Sequence, residues 1–116
     1  MLITFCKSKI AKATITEAQL YYEGSITIDE AVLKAAGILP GEKVEILNVN
    51  NGSRIETYAI AGKANSGQVC LNGPAARFGC VGDHLIVLSY GLVDYDQAKK
   101  LKTKVVYLDD RNKIKD

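Results

Sequence analysis

Along the stretch KIAKATIT, residues 9–16, polar and apolar positions alternate as in an extended strand. Ile10, Lys12, Thr14 and Thr16 fall on one side of it, and the smaller or apolar set on the other. Thr16, with Gln19 three residues later, has capping-box spacing and predicts a brief helical turn through Leu20. The apolar-rich SITI, residues 25–28, predicts a second short strand. Asp29 is placed to cap EAVLKAAG, where Val32, Leu33, Ala35 and Ala36 form an apolar helical side and Gly37 supplies the stop.

Beyond this helix the period returns to that of strands. LPGEKVEILNV combines a Pro-Gly turn with a strand, NNGS is a tight hairpin turn, and RIETYAIAG resumes the extended pattern. Further strands are predicted at QVCLN, DHLIVLSYG and KVVYLDD. They are separated by the small-residue segment GPAARFGCVG and by a short helix near DYDQAKK, capped by Asp94. The spacing leaves no room for repeated β-α-β units, so the expectation is a mainly β domain, a small barrel with helical insertions and antiparallel pairings. No internal repeat or linker divides residues 1–116, and the polar end RNKIKD is expected to be mobile.

Composition narrows the function more than the fold. At 116 residues, 47% apolar and 24% charged, the chain has the makings of one modest core, and subunit association would add burial. Its 15 basic and 13 acidic side chains are interspersed, which argues against a nucleic-acid footprint. Lys7, Lys9 and Lys12 interrupt the start, which suits neither a secretory signal nor a membrane span, so a cytoplasmic location is expected. Cys6, Cys70 and Cys80 form no C-x-x-C motif and read as reduced thiols, mainly packed as small apolar groups.

The residues YYEGSITID raise a chemical question. Gly24 permits unusual backbone geometry, and Ser25 carries a hydroxyl next to the Gly24 carbonyl, which it can attack if the fold bends that peptide. An ordinary turn is the commoner use of such a pair. A Ser-His-Asp triad is a weak alternative, because His84 is the sole histidine and no nucleophile elbow surrounds the serine. His84 itself reads as a solvent-accessible strand residue.

Taken together, YYEGS, NGSRIETYAI and NGPAAR, in this order and spacing over nearly the whole chain, resemble the pyruvoyl-dependent aspartate 1-decarboxylase family. The resemblance implies a double-psi β-barrel with short helices. It also implies a proenzyme that cuts itself between Gly24 and Ser25, leaving residues 1–24 as one chain and turning Ser25 into the covalent pyruvoyl group of the other. Neither a metal nor pyridoxal phosphate is then needed. The implied reaction takes L-aspartate to β-alanine and carbon dioxide through a Schiff base, for pantothenate biosynthesis.

Carried onto this chain, the resemblance makes Gly24, Ser25 and Thr57 the processing residues, and Ser25 and Tyr58 the catalytic ones, with Tyr58 returning a proton. Arg54 becomes a carboxylate clamp and Lys9 a second cation. Thr57, Asn72, Gly73 and Ala75 complete the substrate-binding set, with Ala76 limiting bulk beside it. Without the resemblance these residues have ordinary readings: an exposed strand threonine, a buried strand tyrosine, a solvated strand-edge arginine, a surface lysine, and an Asn-Gly turn before a short helix. Tyr22 has a second reading as a hydrogen-bonding pocket residue, but Tyr21 and Tyr22 read first as packing residues rather than catalysts.

The chain departs from the family pattern at Ala11, Tyr21 and Pro74, where relatives more often carry histidine, histidine and alanine. These changes bear on processing efficiency and hydrogen bonding around the site. The implied assembly is a homotetramer with sites at subunit interfaces, acting without nucleic acid or membrane and compatible with a maturation factor. The competing readings are a pyruvoyl decarboxylase for another amino acid and a small β-rich DNA-binding module. The cations Lys9 and Arg54 favour a dicarboxylate, and the dispersed charge disfavours DNA.

Overall fold

The computed structural model describes residues 1–115. The strands are β1 (Leu2–Thr14), β2 (Glu17–Gln19), β3 (Ser25–Asp29), β4 (Lys43–Asn48), β5 (Arg54–Gly62), β6 (Val69–Asn72), β7 (His84–Asp94) and β8 (Lys104–Tyr107). Helix α1 (Glu30–Ala36) follows β3, a 3₁₀ segment (Gly73–Phe78) follows β6, and the short α2 (Tyr95–Ala98) follows β7. The strands form one eight-stranded sheet in the order β2-β6-β3-β5-β4-β7-β1-β8. The mainly β expectation with short interspersed helices therefore holds.

Local chemistry places α1 and α2 where the sequence predicts them. The Asp29 carboxylate accepts from the Ala31 backbone N–H at 2.8 Å, and Gly37 closes α1 in the left-handed conformation at φ 71°. Asp94 caps α2 by accepting from the Asp96 N–H. Val32, Leu33 and Ala36 are buried, and Ala35 packs partly buried against the same core. That core also takes Ile10, Ile26, Ile28, Val44, Leu85 and Val87 from the sheet.

Several expectations are corrected. Residues 17–19 form no helical turn: they pair in parallel with β6, and the Thr16 hydroxyl bonds instead to the backbone N–H and carbonyl of Val69. Gln19, the would-be capping partner, donates to the Glu17 carboxylate. The uniform alternation through 9–16 also fails, because β1 carries an extra residue between Ile10 and Ala13 relative to β7, with Lys12 at φ 62°. This bulge turns the strand over, so Ile10, Ala13 and Ile15 are buried while Lys12 is exposed.

The pairings are mixed rather than antiparallel throughout: β1 with β8, β2 with β6 and β3 with β5 run parallel. Nor does the described part of RNKIKD lie loose. The buried Asn112 side chain bonds to both the N–H and the carbonyl of Thr14 and to the Gly67 carbonyl. Ile114 bridges to Leu108; Asp116 lies outside the described residues. Of the free cysteines, Cys70 is buried and Cys6 partly so, but Cys80 is exposed. No helix among the described residues is long and apolar enough to cross a membrane.

Candidate active site

Strand register brings Ser25 to its partners. In the antiparallel pair of β3 and β6, Ser25 stands opposite Asn72. Its hydroxyl is fully buried and accepts a hydrogen bond from Asn72 Nδ2 at 3.0 Å. The same amide donates to Thr27 Oγ1 at 2.8 Å, while Asn72 Oδ1 accepts from the Cys70 thiol at 3.2 Å. Ser25 Oγ in turn reaches the Glu23 carbonyl at 3.4 Å. Both N–H donors of the Asn72 amide are used on hydroxyls of this cluster and its oxygen takes the thiol, which fixes the amide orientation beside the serine.

The geometric requirement for glycine falls on Gly73 rather than on Gly24. Gly24 is not in the left-handed region, and a side-chain carbon there would meet only Pro74 Cδ, at 3.5 Å. Gly73 holds φ +65°, and a Cβ on it would sit 2.5 Å from the Tyr22 carbonyl oxygen and 3.0 Å from Gly24 N and Cα. The absence of a side chain at Gly73 is what lets the 20–24 segment lie against the start of the 3₁₀ turn.

On the other side, β3 runs parallel to β5 with Ile26 opposite Ala59, which carries the Gly24–Ser25 junction toward Thr57 and Tyr58. Gly24, Thr57, Tyr58, Pro74 and Ala75 line one cleft of about 360 Å³, together with Ile55, Glu56 and Phe78. Ala75 is buried and Thr57 half-buried, whereas Tyr58 is 39% exposed rather than buried as a strand tyrosine would be. Tyr21 is 97% and Tyr22 56% exposed, so neither packs within this chain as expected.

Arg54 and Lys9 do not join that cleft. Arg54 lines a separate one of about 380 Å³ with Thr4, Lys43, Val44, Glu45, Glu56 and Tyr90. Its Nη2 lies 2.7 Å from Glu45 Oε1 and 3.5 Å from Tyr90 Oη, and Tyr90 donates to Glu45 Oε1 at 2.8 Å. Hydrogen bonds from Arg54 and then Tyr90 hold the Glu45 carboxyl below its ordinary pKa; the bond to Glu45 raises that of Arg54. Tyr90 is raised as well, chiefly through its bond to Glu45 and then by burial. Lys9 is half-buried on β1, opposite Leu88 of β7 and Val105 of β8, and lines neither cleft.

Thr27, Cys70, Glu45 and Tyr90 were not singled out by the sequence. The signal was present as period-two spacing: Thr27 is two residues from Ser25, and Cys70 two from Asn72, on strands that pair. Burial, then the charge of Glu17, pushes the Cys70 thiol up, so it remains protonated as a donor at neutral pH. Among the described residues no cluster of His, Cys, Asp and Glu is arranged to hold a metal ion.

A small mainly β chain with a buried serine directly after a glycine, hydrogen-bonded by an asparagine from the neighbouring strand, presents one compact candidate site. A profile of the Aspartate decarboxylase family matches residues 1–115, and the chain belongs to that family. It is 54% identical over 114 residues to an aspartate 1-decarboxylase from Caldicellulosiruptor saccharolyticus, covering 98% of this chain and 89% of that one. The aspartate 1-decarboxylase from Clostridium beijerinckii is 51% identical, covering 100% and 94%. That of Cytophaga hutchinsonii is 50% identical, covering 98% and 99%.

Among solved structures, the rationally designed mkDPBB_sym_86 protein aligns at a TM-score of 0.49 and 20% identity, over 66% of this chain and 90% of that one. At that similarity the likeness decides nothing about this chain. Its mainly β architecture rests on its own pairings.

Proposed function

We propose that this chain cuts itself between Gly24 and Ser25, converts Ser25 into a pyruvoyl group, and uses that group to decarboxylate L-aspartate. As a member of its family the chain is an enzyme, a pyruvoyl-dependent carbon-carbon lyase that forms β-alanine and carbon dioxide and feeds pantothenate biosynthesis. The reading of a DNA-binding module falls with that assignment. The observation that carries the finer proposal is the buried Ser25 hydroxyl, held by Asn72 in the residue that directly follows Gly24.

Processing follows from these groups. Ser25 Oγ adds to the Gly24 carbonyl carbon, the Gly24–Ser25 C–N bond breaks, and an ester replaces the amide. Loss of the Ser25 α-proton then expels the Gly24 carboxylate from Cβ, and water replaces the nitrogen of the resulting dehydroalanine, releasing ammonia. Thr57, on the wall of the Gly24 cleft, supplies a hydroxyl toward the oxygen on which charge develops. Asn72 holds the attacking hydroxyl, and Gly73 leaves room for the bent backbone.

The site suits a group made in place, since Ser25 is already enclosed and Gly73 lets the 20–24 segment lie against it. When formed, the pyruvoyl carbonyl supplies an electron sink for the pair released with carbon dioxide. Tyr58, on the same cleft, holds a phenolic proton for return to the product carbon. Ala75, a small side chain on the wall, leaves space for the substrate. Arg54 and Lys9 bind the substrate carboxylates. Their absence from the Gly24 cleft of one chain is accounted for by a homotetramer whose sites combine residues of neighbouring subunits.

Intact-chain mass spectrometry tests the cleavage. The expected result is two chains, residues 1–24 and 25–116, the second lighter by one ammonia than its serine-ended form. An uncut, unmodified chain that still decarboxylates aspartate would falsify the pyruvoyl mechanism. Turnover of aspartate against glutamate and neutral amino acids tests the preference expected from the cations.

A further inference from the structure

We infer that Glu45, backed by Tyr90, is a positioning residue that fixes the Arg54 guanidinium for the substrate carboxylate; this rests on the reading of Arg54 as the carboxylate clamp. Three adjacent strands build the arrangement. Arg54 on β5 stands opposite Leu47 on β4, which puts Glu45, two residues along, on the diagonal and the same face. Glu45 stands opposite Leu88 on β7, which places Tyr90 on its own diagonal. The three side chains close a ring of contacts: Arg54 to Glu45 at 2.7 Å, Tyr90 to Glu45 at 2.8 Å and Arg54 to Tyr90 at 3.5 Å.

The need for such a device follows from exposure. The Arg54 side chain is 54% exposed and has many accessible rotamers, whereas that of Glu45 is only 20% exposed and is the fixed end of the pair. A surface ion pair adds little to fold stability, so the consequence of this contact lies in where it holds the guanidinium. Both contacts from Arg54 run through Nη2, which leaves it further N–H donors for a substrate carboxylate. The neighbouring cation Lys43 pairs with Glu56 at 2.9 Å, so Arg54 has no rival for Glu45 among the ion pairs of the described residues.

Steady-state kinetics on L-aspartate, using processed enzyme verified by mass, tests the inference. Glu45→Ala is expected to raise KM about tenfold with kcat changed less than about twofold, because the freed guanidinium must be ordered by substrate. Glu45→Gln retains an accepting oxygen and is expected to bring KM back to within about threefold of the parent, which loss of packing alone would not predict. Tyr90→Phe, which keeps the ring, is expected to raise KM about threefold and serves if Glu45→Ala folds poorly. Unchanged KM in Glu45→Ala and Tyr90→Phe, or a Gln variant as impaired as the Ala variant, overturns the positioning role. Arg54→Ala separates the two levels. If it raises KM while Glu45→Ala does not, only the positioning fails; if it leaves KM unchanged, the clamp is wrong and the positioning falls with it.

Discussion

The Ser25 corner and the Arg54 corner are built to different degrees of completion by a single chain. At Ser25, hydroxyl, amide and thiol are buried and satisfied by one another, across β3 and β6. At Arg54, the charge stands at the surface with one carboxylate and one phenol beside it. An intramolecular acyl shift needs no second molecule, so the groups for that step can be closed before any partner arrives. Recognition of a small diacid needs an accessible cation, and an exposed cation needs something to hold it in place. The contrast separates a buried corner whose polar groups satisfy one another from an exposed corner that offers its charge to solvent.

Ser25→Ala is the strongest test of that separation. Without the hydroxyl, cleavage and decarboxylation are expected to vanish together, giving one uncut chain by mass, while the strand pairing of β3 survives in circular dichroism. Gly73→Ala comes next. Its forced left-handed backbone and collision with the Tyr22 carbonyl are expected to slow cleavage at least about tenfold and to lower stability by about 2 kcal/mol. Gly24→Ala should leave stability within about 0.5 kcal/mol, since its added carbon makes only ordinary contact with Pro74. A reversal of those two stabilities, measured by thermal melting, would show that the close approach has been assigned to the wrong glycine.

Asp29 lies at the far end of β3 and separates folding from chemistry. Burial opposes its ionisation, but the Gly67, Asn65 and Ala31 backbone N–H groups, with the charge of Lys113, outweigh it and hold the carboxyl below its ordinary value of 3.8. A depressed folded-state pKa stabilises above the unfolded value, and that stabilisation is lost as pH falls through the lower folded one. Asp29→Asn is therefore expected to cost about 2 kcal/mol at neutral pH and to flatten the fall in stability below about pH 4, read by denaturant melts, with cleavage rate little changed. The smallest effect is expected from Lys43→Met. Its pair with Glu56 is exposed on both sides, and its loss should shift stability by less than about 0.5 kcal/mol.

Local signals proved legible where local forces decide. Asp29 and Gly37 bracket a helix because cap and stop act within a turn, and RIETYAIAG is β5, its exposure alternating from Arg54 to Ala59. The bulge at Lys12 was hidden, since the register shift that creates it is set by β7 far along the chain. Thr16 shows a true competition: the same hydroxyl that could cap a helix finds Val69 instead, and tertiary pairing wins. Asn112 looked like part of a solvated tail because its partners, Thr14 and Gly67, are remote in sequence. At the site, Ser25, Asn72 and Gly73 were legible as a motif. The diagonal neighbours Glu45 and Tyr90 required a register that only the folded sheet provides.

The placement of β1 bears on what a broken backbone would do to the molecule. A cut after Gly24 assigns β1 and β2 to the shorter piece. Yet β1 is sandwiched between β7 and β8, β2 lies along β6, and the Asn112 side chain grips Thr14 from the opposite end of the sequence. To leave, the short piece would have to unzip an interior strand from both sides at once. Scission at this junction therefore yields an interlocked pair of peptides, in which a new chain end is exposed without the scaffold coming apart.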